Sequence, residues 1–297
     1  MAKVISMINL KGGVAKTTTT IQLAECLTSQ FGKRVLVIDL DPQTNATIAL
    51  ISEERWEELD KQGDTLYHLF RDKLEGTTTF RIEDAIQTSV SNLKLPKLSL
   101  LASSIRFIDV QDLMTDIPAK SGYSVSPMEV LRTAVSSQLD NYDYVLIDCP
   151  PNLGFITRNG IEISDYYLIP TVTDTLSTYG VPQIVRKIHE FSTQRPSLKI
   201  RCLGLVATKF MPSSSAQQRG LANLPARFAE PFDRLKLQRA PIFATRMPQA
   251  NATAEAMDFS GTSSSFKEKY GYQSSGGRKL HEYVTDLTRE FIHYVGA

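Results

Sequence analysis

The 297-residue sequence has few of the residues that form disulfides or bind transition metals. Its three cysteines, Cys26, Cys149 and Cys202, show no C-x-x-C spacing, which favours reduced thiols over disulfides or a zinc site. The four histidines are dispersed along the chain. No run of about 18 apolar residues is present, and the first residues lead directly into a predicted strand without the features of a signal peptide. We therefore expect a cytoplasmic protein that does not associate with a membrane.

The charges nearly cancel, at a formal net charge of +1, but they are unevenly distributed. Acidic residues outnumber basic ones between Glu53 and Asp84. Between Arg195 and Arg246 only Glu230 and Asp233 oppose a larger basic set: Arg195, Lys199, Arg201, Lys209, Arg219, Arg227, Arg234, Lys236, Arg239 and Arg246. Each of these could lie on an ordinary solvated helix face, but a cluster of this size is typical of proteins that bind an anionic polymer.

The residues after the first predicted strand have the pattern of a phosphate-binding loop. They read Lys11-Gly12-Gly13-Val14-Ala15-Lys16-Thr17-Thr18, the deviant form K-G-G-x-x-K-[ST] with two lysines. Leu10 and Ala15 stand where the usual G-x-x-x-x-G-K-[ST] pattern has glycines. In such loops backbone N–H groups bind phosphate oxygens, the second lysine reaches the β- and γ-phosphates, and the hydroxyl ligates Mg²⁺. Lys16 and Thr17 occupy those two positions.

The elements on either side of the loop support this interpretation. Val4–Ile8 is predicted to be a buried strand, and Thr17–Ser29 a helix. This order places an anion at a helix N-terminus, where unpaired N–H groups and the helix dipole favour negative charge. Without a ligand the segment would be only a glycine turn, which explains neither the second lysine nor the flanking elements.

Three carboxylates follow predicted strands and supply further nucleotide chemistry. Asp39 ends the apolar run from Arg34, Asp41 follows two residues later, and Asp148 ends the run from Tyr142. Phosphoryl transfer needs Mg²⁺ and an oriented water beside the β- and γ-phosphates. Asp148 has the position of a Walker B acid, and Asp39 and Asp41 can both point toward the site. Taken alone, Asp39–Gln43 could also be an ordinary Asp- and Pro-containing surface turn.

Strands alternate with helices along most of the sequence, which predicts an α/β fold with a mostly parallel, twisted sheet covered by helices on both faces. Ligands of such sheets bind beyond the carboxyl ends of the strands. Further strands are predicted at Tyr166–Pro170, Ile200–Thr208 and Leu98–Leu101. Further helices are predicted near Ser126–Leu139, Gly154–Ile163, Tyr179–Thr193, Ala216–Ala229 and Gly277–Val295. We expect one domain over residues 1–297, with a divergent helical excursion at about 51–122.

Three segments together resemble the ParA branch of the ParA/MinD deviant Walker ATPases, which are P-loop NTPases. They are Lys11–Thr18, Asp39–Gln43 with Thr44–Thr47 after it, and Tyr142–Pro151 in the form Y-D-Y-V-L-I-D-C-P-P. The similarity extends over nearly the whole chain. Ala15 departs from the glycine that is common in the family, and Asn152 from a frequent serine.

The resemblance implies roles for individual residues. Lys11 would cross the interface of an ATP-sandwich dimer to the partner's nucleotide, and Asp41 would position the hydrolytic water. Lys11, Lys16 and Asp41 are thus the candidate catalytic residues, and Thr17, Asp39 and Asp148 the candidates for holding Mg²⁺. The candidate nucleotide-binding residues are Lys11, Gly12, Gly13, Val14, Ala15, Lys16, Thr17, Thr18, Met247 and Pro248.

The family resemblance also implies a function and partners. Such proteins use ATP to switch between a monomer and a dimer that coats DNA non-specifically, and a ParB-like or cargo-adaptor protein stimulates hydrolysis to move a plasmid, chromosome or protein cargo. A bacterial chain of this kind would be nucleoid-associated. The predicted DNA-binding residues are Arg219, Arg227, Lys236 and Arg239. Secondary candidates are Lys267, Lys269, Arg278 and Lys279.

Three alternatives share the phosphate-binding loop. A MinD-like ATPase would act at a membrane, but the last helix spaces its apolar residues for core packing and lacks an amphipathic basic tail. A nitrogenase-type iron protein needs two cluster cysteines, and Cys149 has no such partner. A metabolic P-loop enzyme, such as a ligase that phosphorylates a carboxylate, would release phosphate in response to a small molecule.

Overall fold

The computed structural model describes residues 2–120, 125–271 and 277–296. Its described residues form a single eight-stranded sheet in the order β3-β4-β2-β5-β1-β6-β7-β8. The pairings given are parallel except for β3 against β4. The strands are Lys3–Met7 (β1), Val35–Asp39 (β2), Ile86–Thr88 (β3), Leu98–Leu101 (β4), Tyr144–Asp148 (β5), Tyr166–Val172 (β6), Arg201–Phe210 (β7) and Ile242–Pro248 (β8).

Helices cover both faces of the sheet. Within the described residues they are Lys16–Ser29 (α1), Asn45–Leu50 (α2), Glu53–Gln62 (α3), Leu66–Glu75 (α4), Ile82–Ala85 (α5), Phe107–Gln111 (α6), Ile117–Lys120 (α7), Val130–Val135 (α8), Phe155–Ile163 (α9), Thr175–Tyr179 (α10), Val181–Thr193 (α11), Ser215–Leu235 (α12), Asn251–Ala256 (α13), Phe266–Lys269 (α14) and Leu280–Gly296 (α15). Short 3₁₀ turns lie at Met114–Asp116 and Leu139–Asn141. The predicted α/β fold is confirmed.

The core forms two apolar clusters that share the strands of the sheet. Alternate residues of β2 enter opposite clusters: Leu36 and Ile38 pack in one, Val35 and Val37 in the other. Successive side chains of a strand point to opposite faces, so a strand buried on both faces reads as a continuous apolar run. This explains why the sequence alone predicts the central strands.

The register of the central strands brings the chemistry-bearing residues to one edge of the sheet. Asp39 of β2 pairs with Asp148 of β5, and Met7 of β1 pairs with the same Asp148. The phosphate-binding loop follows β1 directly. The carboxyl ends of β1, β2 and β5 therefore surround one site.

Several element boundaries differ from the prediction. The helix predicted at Tyr179–Thr193 is split at Gly180 into α10 and α11, and Pro182 lies in the first turn of α11, where proline is favoured. The helix predicted to end at Ala229 continues to Leu235 through Pro231. The helix predicted near Ser126–Leu139 is shorter, at Val130–Val135.

Some elements were not predicted. The 51–122 region, expected to be a helical excursion with one strand at Leu98–Leu101, contains α3 to α7 and strands β3 and β4; strand β3 and the bounds of the individual helices were not predicted. Its end at residue 122 lies outside the described residues. Strand β8 was missed as well, because its burial pattern alternates irregularly and gives no continuous apolar run.

Candidate nucleotide site

The loop between β1 and α1 has the backbone shape of an anion-binding loop. Gly13 and Ala15 take positive φ values of 73° and 63°, and Ala15 is the N-cap of α1 without a side-chain cap. The first N–H groups of a 14-residue helix therefore have no side-chain acceptor at this end. Helix N-termini of this kind attract phosphate through unpaired N–H groups and the helix dipole.

Ala15 strains the loop. Left-handed φ brings Cβ close to the following carbonyl oxygen and costs a non-glycine residue about 1–2 kcal/mol. The family-typical glycine would carry no such cost. Hydrogen bonds around the loop maintain its shape: Asn9 Oδ1 accepts from Lys11 N–H at 2.9 Å, and Thr208 Oγ1 donates to the Val14 carbonyl at 3.0 Å.

The two lysines of the loop lie in different environments. Lys16 is buried, and burial lowers the pKa of its ammonium, while the charges of Asp148 and Asp41 oppose that shift. Its Nζ lies 3.4 Å from the Lys11 carbonyl. Lys11 is half-exposed and turns toward α10, where its Nζ donates to Ser177 Oγ at 2.8 Å and lies 3.8 Å from Asp174 Oδ1.

Asp148 faces the first turn of α1. Its Oδ2 accepts a hydrogen bond from Thr17 Oγ1 at 2.6 Å, and its Oδ1 lies 3.4 Å from Thr20 Oγ1. The carboxyl is fully buried, and burial raises its pKa to about 7; the hydrogen bond from Thr17 and the charge of Lys16 act in the opposite direction, and the charge of Asp41 adds to the increase. A buried carboxylate of this kind is stabilised by a cation.

Asp39 acts on the turn that carries Asp41. Its Oδ2 accepts from the N–H and the Oγ1 of Thr47, and its Oδ1 accepts from Asp41 N–H at 3.0 Å. Burial, and then the charge of Asp148, raise the pKa of Asp39 well above its usual value. Asp39 therefore positions the turn, with its carboxyl beside that of Asp148, and Asp41 faces the cavity.

Two adjoining cavities lie over the loop. The larger, of about 430 Å³, is lined by Gly12, Gly13, Ala15, Lys16, Thr17, Thr18, Ile21, Asp41, Gln43, Asn45, Ile48, Ala49, Pro151, Lys209 and Met257. The smaller, of about 180 Å³, has Met247 and Pro248 in its wall together with Ala15, Thr18 and Gln22. The larger cavity is thus lined by residues predicted to bind phosphate, and the smaller one by the predicted nucleotide-binding pair Met247 and Pro248. Val14 is buried behind the loop.

The residues fit Mg²⁺ with a nucleoside triphosphate. The Thr17 hydroxyl and the Asp148 carboxylate lie side by side at the phosphate end, and the charge of Asp148 raises the pKa of the neighbouring Asp39. Oxygen ligands with water between are what Mg²⁺ prefers. Within the described residues no group of three or more His, Cys, Asp or Glu side chains forms a protein-only metal site, so the metal would depend on phosphate oxygens.

The predicted DNA-binding residues lie on or near α12. Arg219 and Lys236 are exposed. Arg227 donates to Thr178 Oγ1 at 3.0 Å and stacks over Tyr179, and Arg239 forms two hydrogen bonds of 2.6 Å with Asp233. Arg219 lies near the start of α12 and Lys236 is its C-cap residue, so these two lie near opposite ends of the helix; of the four, only their side chains have no intramolecular partner in the described part.

Two basic residues are not available for DNA. Lys269, a secondary candidate, is buried and forms a 2.7 Å ion pair with Glu25, because α14 packs against α1. Arg195, part of the basic segment, pairs with Glu129 and Glu162. Their acidic partners are distant in sequence, so the local charge count could not reveal them. Of the other secondary candidates, Lys267 and Lys279 are exposed, and Arg278 pairs with Asp286.

Other residues of the site were not predicted. Four residues outside the predicted set contact the loop or its neighbours, and none belongs to a short motif that would have singled it out: Thr20, Asp174, Ser177 and Thr208.

A membrane-spanning segment would need a long apolar helix, and the part of the chain that the structure describes contains none.

Comparison with known proteins shows similarity to a family of ATPases. A family model described as an AAA domain matches residues 2–200. The chromosome-partitioning ATPase Soj of Thermus thermophilus is 30% identical over 87% of this chain and 86% of its own length. An uncharacterised protein of Mycobacterium tuberculosis is 32% identical over 77% of this chain, and the match spans 65% of that relative's length.

Two solved structures show the same fold. One is cobyrinic acid a,c-diamide synthase of Mycobacterium smegmatis with a bound ATP analogue and magnesium. It superposes with a TM-score of 0.66 at 25% identity, and the match covers 85% of this chain and 89% of the synthase chain. The other is a variant of McdA from Cyanothece in complex with ATP, with a TM-score of 0.69 at 20% identity. The match covers 98% of this chain and 96% of the McdA chain.

Proposed function

The chain belongs to the AAA-domain family and is a ParA/MinD-type P-loop ATPase, and we propose that it hydrolyses ATP as a switch between a monomer and an ATP-sandwich dimer that binds DNA non-specifically. In this role it would position a plasmid, chromosome or protein cargo together with an activating partner. The observation that carries the proposal is the first of the two loop lysines, Lys11, which is half-exposed and turned away from Lys16 toward α10.

The residues divide the work of hydrolysis. Lys16 and the N-terminus of α1 hold the β- and γ-phosphates and offset their charge, and Asp41 orients the attacking water from the cavity wall. Asp39 fixes the turn of Asp41. Mg²⁺, held by Thr17 and, through water, by Asp148, would neutralise charge that develops on the phosphates.

Lys11 and α10 support the dimer. Lys11 is held by Asp174 and Ser177 and must leave them to reach a partner's phosphates. On the same short helix Leu176 and Tyr179 are 80% and 73% exposed. Adjacent exposed apolar side chains of this size are typical of a surface that becomes covered. A second copy that accepts Lys11 would lie beside them.

The DNA proposal rests on the exposed basic residues of α12. Each neutralised phosphate contributes about 0.9 to the salt slope of binding, so doubling the contacts in a dimer makes binding steeply dependent on ATP and on salt. Arg219 and Lys236 are the strongest candidates because neither has an intramolecular partner in the described chain.

The test is filter binding of duplexes of unrelated sequence at low salt. Wild-type protein with ATP retains them about equally and retains much less with ADP; the double variant Arg219→Glu, Lys236→Glu binds weakly, with a shallower salt slope. The matched control is Lys61→Glu, Arg81→Glu, which makes the same charge change at exposed sites in the acidic segment. Wild-type protein that retains no duplex with ATP contradicts the DNA role, as does a double variant that binds as the control does.

A metabolic activity is the second candidate, favoured by the synthase neighbour at 25% identity. It is distinguished by what stimulates phosphate release. Acceleration by a small carboxylic acid, with none by DNA and a protein partner, would favour the metabolic enzyme.

A further inference from the structure

Strand β7 contains an extra residue next to the nucleotide site. Between the pairs Ala207–Arg246 and Phe210–Pro248, β7 has two intervening residues and β8 has one. This is the geometry of a β-bulge, a feature that redirects a side chain and is frequent beside active sites. One of the two intervening residues is Lys209, with a φ of 49°. A lysine in this left-handed region costs about 1–2 kcal/mol relative to the right-handed one.

The backbone on both sides of Lys209 is fixed by contacts that maintain this conformation. Thr208 donates to the Val14 carbonyl of the phosphate-binding loop at 3.0 Å. Gln217, a buried residue of α12, donates to the Lys209 carbonyl at 3.1 Å and accepts from Met211 N–H at 2.8 Å. The bulge is thus tied to the loop on one side and to α12 on the other. Strain that its surroundings maintain in this way is typical of functional sites.

Lys209 borders both cavities over the loop. It lines the 430 Å³ cavity together with Lys16 and Asp41, and the 180 Å³ cavity together with Met247 and Pro248. It therefore lies where the two spaces meet. Its side chain is exposed and forms no ion pair within the described chain. A lysine ammonium held at this junction is available to an anion that enters either cavity.

We propose that Lys209 is a nucleotide-binding residue whose ammonium contacts the phosphate nearest the sugar of a bound nucleoside di- or triphosphate. The inference rests on the proposed function. Lys16 lines the larger cavity at the expected terminal-phosphate end, the predicted nucleotide-binding pair Met247 and Pro248 lines the smaller cavity, and Lys209 borders both, which is where a phosphate between the two ends would lie. Lys209 consequently belongs to the nucleotide site and not to the DNA-binding surface in which the basic segment would place it.

The experiment compares Lys209→Met with Lys94→Met in calorimetric binding of ADP and in competition by adenosine, which has no phosphate. Lys94 is a matched control because it is an exposed lysine with a φ of 46° that lines neither cavity. Charge-assisted hydrogen bonds contribute about 1.5–3 kcal/mol, which corresponds to a loss of about 10-fold or more in ADP affinity. Lys209→Met should show this loss with adenosine affinity unchanged, Lys209→Arg should recover most of it, and Lys94→Met should bind as wild type.

Two results overturn the inference alone: Lys209→Met binding ADP as tightly as wild type, or losing ADP and adenosine affinity by the same factor, which a purely structural role would cause. Lys209→Met removes the ammonium and keeps the backbone strain, whereas Lys209→Gly removes both, so comparing the two variants separates the effect of charge from the effect of strain. Both should lose ADP affinity to the same extent. A wild-type chain that binds no adenine nucleotide overturns the proposed function as well, so the two failures are distinguishable.

Discussion

Replacing Asp148 by asparagine should change how the stability of the nucleotide-free protein depends on pH. The pKa of this buried carboxyl is about 7 in the folded chain, against 3.8 for its ordinary value. Since the folded pKa is the higher one, the folded chain binds more protons between these values, and the free energy of unfolding falls as the pH rises through that window. The asparagine side chain of the variant would be neutral throughout.

The magnitude follows from the same values. Each unit of pKa difference corresponds to about 1.36 kcal/mol, so between pH 5 and pH 8 ionisation of Asp148 removes about 3 kcal/mol of stability from wild type. Asp148→Asn should therefore gain about 3 kcal/mol relative to wild type on going from pH 5 to pH 8. Removing the charge of Asp148 also removes one of the causes that raise the pKa of Asp39. The ionisation of Asp39 then costs the variant less stability at high pH, which adds to its gain over wild type.

Urea denaturation in the presence of a metal chelator measures this difference. Asp143→Asn is the control. Asp143 is paired with Arg34 on the surface, and this pairing lowers its pKa. Above pH 5 its carboxyl is therefore ionised in the folded and in the unfolded chain alike. Its difference from wild type should be the same at both pH values. If Asp148→Asn also shows a constant difference, the reasoning about the buried carboxyl is wrong.

Three further predictions concern stability and are measured by denaturant titration at pH 7. Ala15→Gly, by removing left-handed strain, should stabilise the protein by up to about 1 kcal/mol after the entropy of glycine is counted; a loss of stability contradicts this. Lys269→Met leaves the buried Glu25 carboxylate without its cation and should cost about 3–5 kcal/mol, whereas a cost under about 1 kcal/mol would indicate an unimportant pair. Gly220→Ala would place a Cβ 1.6 Å from the Thr173 carbonyl oxygen and should separate α12 from the turn before α10, with a larger loss than Ala222→Gly on the exposed face.

That the residues of the candidate nucleotide site lie together could be predicted from the sequence, because the signals are local. Asp39 and Asp148 end apolar runs that are buried on both faces of the sheet, and parallel strands bring such ends together. The lysine-rich loop is contiguous in sequence. Local sequence order is therefore enough to place Lys16, Thr17 and Asp148 in one site.

The features that depend on distant contacts could not be predicted. Glu25 and Lys269 are 244 residues apart, so a lysine that reads as exposed charge is in fact buried. Lys11 donates to Ser177 of α10, which is 166 residues away in sequence. The helix lies beside the loop because β6, the strand before it, is next to β1 in the sheet, and the sequence does not give that strand order. The bulge that directs Lys209 exists only in the register of β7 against β8, and the sequence of β7 shows an uninterrupted strand.

The most direct test of the switch is the mass of Asp41→Ala in solution with ATP, ADP or no nucleotide, by sedimentation velocity. Asp41 lines the cavity and is expected to act only in the chemical step, so the variant should bind ATP and be unable to hydrolyse it. We expect a stable dimer with ATP and a monomer with ADP, and a monomer in both for Lys16→Ala, which should not retain nucleotide. An Asp41→Ala chain that binds ATP as tightly as wild type yet remains monomeric would contradict the ATP-dependent switch.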